Sequence, residues 1–283
     1  MPTKPDNSEP LFHIAFYAFV PLVDADAVTS RLRELTQALT GSILVAPEGI
    51  NGVVAGPAST LDAFERALAD DAVFAGNFIG MVFKRSACVT APFARMKVHR
   101  KKEIVAFGVN GVSPTNTGTG HGDSGTSVSP QVWRDLIAQD DVVVIDNRNS
   151  FEYRLGKFRS AIDPQVPHFR DFPAYVRAHA PVWKASGKRV AMYCTGGIRC
   201  EKSGAWMRDL GLDVYQLEGG ILNYFQSMPD AEKDWDGECF VFDNRIALDT
   251  KLQETTTTLE QVYEGEPDGE WRIARARRLD AAS

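Results

Sequence analysis

Apolar and polar positions along the chain follow two alternating rhythms. FHIAFYAFVPL (12–22) is aromatic and β-branched, ends at a proline and predicts a strand. DADAVTSRLRELTQALTG then spaces its apolar residues at helical intervals, from an Asp cap to a closing Gly41. SILVAPEGINGVVAG holds two short apolar runs around a turn built on Pro47, Gly49, Asn51 and Gly52, and predicts a hairpin. STLDAFERALADD predicts a second capped amphipathic helix, and FIGMVFKRSACV and KKEIVAFGV two further strands. After a stretch with no apolar period, SPQVWRDLIAQDD predicts a helix capped at Ser129, and VVVIDNRN a strand buried on both faces. FRDFPAYVRAHAPVWKASG is helical with a proline interruption, KRVAMYC is a second buried strand and EKSGAWMRDLG a helix ending at Gly211. DVYQLEGG supplies a short strand and turn, ILNYFQSM a helix, and CFVFDNRIALD one more strand.

This order separates the chain into parts. The β-α-β-β-α-β succession over 10–110 is the ferredoxin-like or acylphosphatase-like α+β plan. Residues 111–128 are rich in Gly, Ser and Thr and predict a flexible linker. Over 129–230 strands and helices alternate, which implies an α/β domain with a central parallel sheet and helices on both faces. The remainder, 231–283, is polar and charge-rich after the CFVFD block and is expected to be partly disordered.

Composition narrows the class. With 44% hydrophobic and 24% charged residues, the 283-residue chain reads as a globular protein. No window approaches about 18 consecutive apolar residues, so no membrane span is expected. The start, MPTKPDNSEP, lacks the apolar core of a secretion signal, and a cytoplasmic location is expected. The four cysteines, at 88, 194, 200 and 239, show no CxxC spacing, so neither a zinc ribbon nor a disulfide framework is indicated. The formal charge of −6 argues against a generally nucleic-acid-coated protein, but it hides a local basic run.

The chemistry concentrates in CTGGIRC (194–200), between a buried strand and a helix. Active groups in parallel sheets lie at the carboxyl ends of strands, where Cys194, Asp146 and Arg148 all fall. A sharp turn into a helix points successive amides into the bend, and the helix N-terminus adds positive potential. Thr195, Gly196, Gly197 and Ile198 form the bend, with both glycines expected to supply unusual backbone angles. A thiol at its first position is expected to ionise readily, with Arg199 adding charge at the edge of the loop. The C-x4-R spacing is one residue tighter than the C-x5-R loop of cysteine phosphatases and favours a persulfide over a phosphoester. Cys200 has two readings: a thiol that resolves an oxidised Cys194, or a core-facing first residue of the helix. Asp146 and Arg148 are expected to brace the loop by hydrogen bonds, since charged groups at a buried strand end need partners.

These motifs carry a family resemblance. DNRNSFEYRLGKFRSAIDP (146–164) resembles the first rhodanese signature, CTGGIRCEKSGAWMRDLG the active-site loop and its helix, and VYQLEGGILNY the second signature. With EGING near the start and GECFVFDNR at 237–245, the combination resembles the bacterial tRNA uridine hydroxylases that carry a central rhodanese domain. The resemblance implies oxygen-dependent conversion of the wobble uridine, position 34, to 5-hydroxyuridine, with Cys194 as the reactive residue and molecular oxygen as co-substrate. It implies no other cofactor. Many relatives continue into a cysteine-rich tail; no cysteine follows Cys239 here, so no metal is expected.

A tRNA partner directs attention to the run Lys84, Arg85, Arg95, Lys97, Arg100, Lys101 and Lys102, which no acid interrupts. It suits phosphate contacts, with Phe93, Met96 and His99 available to stack an anticodon-loop base. It equally suits a solvated edge strand whose lysines block aggregation. Glu48 and Asn51 of EGING belong either to a tight turn and docking role or to the surroundings of Cys194. Two rival functions share the rhodanese loop: a thiosulfate-type sulfurtransferase carrying a cysteine persulfide, and a binding module without catalysis. The N-terminal domain and the CFVFD block favour the hydroxylase, and an intact Cys194 and Arg199 disfavour the inert module.

Overall fold

The computed structural model describes residues 10–88, 91–114 and 125–280. The chain forms two compact units, one of the residues up to Ile104 together with those from Ala276 on, the other of Val105–Arg275. In the first, β1 (Leu11–Phe19), α1 (Ala25–Leu35), β2 (Thr40–Ala46), β3 (Gly49–Pro57), α2 (Ala58–Asp70) and β4 (Lys84–Ala87) follow the expected order, and β5 (Met96–Arg100) is added. The sheet runs β4-β1-β3-β2-β5, antiparallel except where β5 lies parallel to β2. Ile14, Phe16, Ile43, Val45, Ile50 and Val54 form a core with the apolar stripes of α1 and α2. Asp24 caps α1 by accepting the amides of Asp26 and Ala27. α2 starts after Pro57 without the expected side-chain cap. Gly49 takes φ +138°, and a Cβ there would stand 1.9 Å from the carbonyl oxygen of Ala18, so the hairpin closes only on glycine.

KKEIVAFGV is not a strand, contrary to the expectation from its apolar run; the strand is MKVHR, just before it. Its apolar residues act as separate anchors. Ile104 is buried in the first unit, where Glu48 Oε1 accepts its N–H (2.8 Å) and Asn51 Nδ2 donates to its carbonyl (3.0 Å). The EGING turn thus pins both backbone groups of one residue of the first unit. Phe107 belongs to the core of the second unit, packed on Phe169 and Trp206.

The second unit holds β6 (Thr126–Val128), α3 (Pro130–Ile137), β7 (Val142–Asp146), α4 (Ser150–Leu155), β8 (Gly156–Phe158), α5 (Phe172–Ala185), β9 (Arg189–Tyr193), α6 (Ile198–Asp209), β10 (Val214–Leu217) and α7 (Gly220–Ser227). Its sheet, β6-β10-β9-β7, is parallel throughout. β6 consists of residues assigned from composition to the linker: Thr126, Ser127 and Val128 pair with β10. Residues 115–124 of that linker lie outside the described residues. α5 runs unbroken through Pro181. Along β9 the side chains alternate between two apolar layers, Val190, Met192 and then Cys194 to one, Ala191 and Tyr193 to the other. That period of two aims the sulfur of Cys194 toward α6.

The chain after 230, expected to be partly disordered, folds onto this unit as far as Arg275. β11 (Trp235–Gly237) pairs with β8, and CFVFDNRIALD makes a hairpin of β12 (Cys239–Phe240) and β13 (Ala247–Leu248) instead of one strand. α8 (Leu259–Val262) and α9 (Gly269–Asp280) follow. Phe240, Val262 and Tyr263 form a small core with Phe151 of α4. The polar composition conceals these few apolar anchors, which suffice because they close an existing surface instead of building a core of their own.

All five tryptophans (133, 183, 206, 235 and 271) lie in the second unit, so their fluorescence reports its unfolding alone. Phe240→Ala is expected to lower the stability read this way in urea by about 3–5 kcal/mol. A change within about 0.5 kcal/mol would instead assign the segment to the exterior of the fold.

Candidate active site

Cys194 follows β9 directly, and the next three residues turn the chain into α6. Gly197 is the residue before that helix and takes φ +102°; Gly196 does not enter the left-handed region, so one glycine, not two, makes the turn. Gly197 donates its N–H to Cys194 Sγ at 3.1 Å. The amides of Arg199 and Cys200 also point at that sulfur. From outside, α7 donates the amides of Ile221 and Leu222 to the carbonyls of Cys194 and Thr195 (3.0 and 3.2 Å). Gly220, at φ +70°, permits that approach: a Cβ there would stand 2.4 Å from the Cys194 carbonyl oxygen.

Cys194 is 1% exposed. Burial opposes its ionisation, but hydrogen bonding from the Cys200 thiol, the charge of Arg199 and the loop amides outweigh it, and the thiol is pulled down to about 5. Cys200 moves the opposite way, well above the ordinary thiol range, because of burial and then the neighbouring Cys194 sulfur. Of the two readings of Cys200, the core-facing one matches this geometry, although the residue is the third of α6 and not its first. It sits in the apolar layer behind the loop and also serves as a proton-holding donor to Cys194.

Arg199 does not stand at the edge of the loop. It is buried, and its two terminal nitrogens donate to the two oxygens of Glu152 at 2.8 Å each. Glu152 sits in the first turn of α4 and also accepts the Asn149 amide at 3.1 Å and, at 3.5 Å, the Thr195 hydroxyl. Burial would raise its pKa, but the Arg199 charge and hydrogen bonds reverse this and hold it below the usual carboxylate value. The sequence reading missed this residue: one glutamate in a helical stretch carries no sign of a partner 47 positions away.

Asp146 and Arg148 form a second buried pair. Arg148 Nε and Nη2 reach Asp146 at 2.6–3.2 Å, and Nη2 also donates to the Gly156 carbonyl. Tyr193 donates its hydroxyl to Asp146 Oδ2 at 2.8 Å, and the Arg148 guanidinium lies over the rings of Tyr193 and Trp235. The pair touches the residue before Cys194, not the loop. It fixes the strand end from which the loop departs.

The basic run lies in the first unit and is not one patch. Lys84 and Arg85 are on β4, Lys97 and Arg100 on β5, and these are opposite edges of the sheet. Arg85 is paired with Asp62 and Glu65, and Arg100 with Asp26. Lys101 and Lys102 follow β5 and are exposed, whereas Arg95, just before that strand, is half-buried. Among the described residues no group of three or more His, Cys, Asp or Glu side chains is placed to hold a metal ion, and no helix is long and apolar enough to cross a membrane.

Comparison with known proteins agrees with this two-part layout. Residues 12–104 match the model of the UPF0176 acylphosphatase like domain, and residues 129–227 that of the rhodanese-like domain. A tRNA uridine(34) hydroxylase of Nitrobacter winogradskyi is 45% identical over 247 residues, covering 85% of this chain and 92% of the relative. The chain belongs to the tRNA uridine(34) hydroxylase family. Members named so from Legionella pneumophila (40% identical; 89% of this chain, 96% of the relative) and Deinococcus radiodurans (42%; 90% and 81%) match over a similar span. In this hydroxylase-family chain the rhodanese-like match ends at 227, so the layer formed by residues 235–263 lies beyond the conserved module.

The ultraviolet absorbance of the thiolate, taken as the difference between wild type and Cys194→Ser, is expected to titrate with a midpoint near pH 5. Arg199→Met is expected to move that midpoint upward, since a positive charge beside the sulfur is lost. The folded thiol ionises below its unfolded value of 9, so its stabilising contribution is complete above pH 9 and fades as pH falls toward 5. Stability of the wild type relative to Cys194→Ser should accordingly rise with pH across that window. Glu152→Ala leaves a buried guanidinium unpaired and is expected to cost about 3–5 kcal/mol by tryptophan fluorescence in urea.

Proposed function

We propose that this chain hydroxylates uridine 34 of tRNA to 5-hydroxyuridine, with molecular oxygen as co-substrate and Cys194 as the reactive residue. The observation that carries the assignment of Cys194 is the convergence of the Gly197, Arg199 and Cys200 amides on its sulfur, which keeps a buried thiol ionised at neutral pH. Arg199, fixed by Glu152, supplies permanent positive charge beside it and with the amides stabilises negative charge that develops at the sulfur. Asp146, Arg148 and Tyr193 hold the strand end, and α7 holds the loop carbonyls, so the amides need not reorganise during the reaction. Exposed Lys101 and Lys102 contact RNA phosphates, supported at the same β5 edge by half-buried Arg95 and Lys97 and by Arg100, which is paired with Asp26; Lys84 and Arg85, at the other edge, contribute less. The anticodon loop suits this chemistry because its bases are already unpaired, so presenting one costs little. The protein works in the cytoplasm, with its tRNA.

A second reading is sulfur transfer through a persulfide on Cys194. The depth of the thiol favours it: at 1% exposure the sulfur is hard to reach, and an outer sulfur stands about 2.05 Å further along the bond. Nucleoside mass spectrometry of tRNA from a strain lacking the protein separates the two. Loss of 5-hydroxyuridine and its derivatives, restored by wild type and not by Cys194→Ala, is expected. Loss of a thiolated nucleoside in its place, with 5-hydroxyuridine intact, would overturn the hydroxylase assignment.

A further inference from the structure

The hairpin of β12 and β13 presents Phe242 at its tip, between strands whose other apolar residues point inward. Val241 and Phe240 are buried, whereas Phe242 is 60% exposed. Among the described residues only Phe242 and Trp271 are large aromatic side chains left mainly in water. The exposure is imposed by a rigid turn. Asp243 and Arg245 form a buried bidentate pair (2.8 and 2.6 Å), Val241 donates to the Ile246 carbonyl and Ile246 to that of Asp243. Phe240 supports the Phe242 ring edge-on, with centroids 4.9 Å apart and planes at 88°.

This ring lies at the reactive loop. The Arg199 guanidinium sits 5.9 Å from its centroid, and the same guanidinium supplies the charge beside Cys194. An aromatic side chain held open to solvent, backed by a cation and rigidly mounted is the arrangement on which proteins stack unpaired bases of single-stranded RNA. A planar, polarisable pyrimidine gains from both the ring and the cation behind it.

We propose that Phe242 is the positioning platform for the uracil of the substrate nucleotide, on which the flipped base stacks next to the Cys194 loop. The inference rests on the hydroxylase reading for the identity of the base. It gives the GECFVFDNR segment a purpose beyond closing the fold: the hairpin carries the part of the site that recognises a base, while the loop carries the sulfur. Phe242 acts by placing the base and exchanges no proton or electron.

Full-length variants Phe242→Ala, Phe242→Leu and Phe242→Tyr, expressed in a strain lacking its own uridine-34 hydroxylase, test this through the nucleosides of its tRNA. Phe242→Ala is expected to lower 5-hydroxyuridine by about fivefold or more. Tyrosine, which stacks, should restore it; leucine, which fills space without stacking, should not. The thiolate midpoint of Cys194 in Phe242→Ala should stay near pH 5, showing an intact loop. In parallel, wild-type protein is irradiated with an anticodon stem-loop RNA carrying 4-thiouridine at position 34, and the crosslinked peptide is mapped. A crosslink at Phe242 is expected. Wild-type product levels in Phe242→Ala, rescue by leucine equal to that by tyrosine, or a crosslink confined to other peptides would each overturn the proposal. A wild-type chain that makes no 5-hydroxyuridine but crosslinks at Phe242 would remove the hydroxylase reading and leave the platform standing.

Discussion

The site depends on one electrostatic constraint, the gathering of backbone N–H groups around the sulfur of Cys194 at the end of β9. A thiolate buried to 1% exposure is costly unless something replaces the water it has lost. Here the replacement is the Gly197 amide at 3.1 Å, the amides of Arg199 and Cys200, the Cys200 thiol and the Arg199 charge. Every other feature near the loop keeps those donors in place. Gly197 turns the chain, Gly220 lets α7 close on the loop carbonyls, and Glu152 holds Arg199 from both nitrogens.

Around this centre the buried charges are arranged in layers. Asp146 with Arg148, and Glu152 with Arg199, are two ion pairs with almost no solvent access. Such pairs add little net stability, because desolvation consumes most of the attraction, but losing one partner is expensive. Their value here is fixed geometry. Arg148 ties the end of β7 to Gly156, and the Tyr193 hydroxyl donating to Asp146 ties it to the end of β9, so the two strand ends that frame the site cannot move apart independently. The aromatic layer of Phe151, Phe240 and Tyr263 seals the other face of α4, the helix that carries Glu152. The C-terminal segment thereby reaches the sulfur through two steps: it packs α4, and α4 holds Arg199.

Much of this was legible in the residues. The continuous apolar run of RVAMYC, a strand buried from both sides, placed Cys194 at a strand end, and CTGGIRC announced an anion-binding bend by its glycine and arginine spacing. The element order set the two-part architecture, because helical and strand periods are local properties of the chain. What could not be read were the pairings across distance. Glu152 resembles any helix glutamate until Arg199 is brought to it. Lys84 and Lys97 sit close together in one basic run, yet the sheet order β4-β1-β3-β2-β5 sends them to opposite edges. KKEIVAFGV carries an apolar run like a strand's, but its apolar residues are used one at a time, Ile104 clamped by Glu48 and Asn51 and Phe107 packed on Trp206.

By itself, then, the sequence determined where the backbone would turn and which thiol would stand at the turn, since these follow from neighbours within a few residues. The tertiary structure alone decided what holds Arg199 in place and what faces the loop. The carboxylate that orients the Arg199 guanidinium and the Phe242 ring beside that guanidinium come from positions 152 and 242, which only the completed packing brings to the loop. Interactions of that range have no period and no spacing; they exist only once the chain has closed on itself.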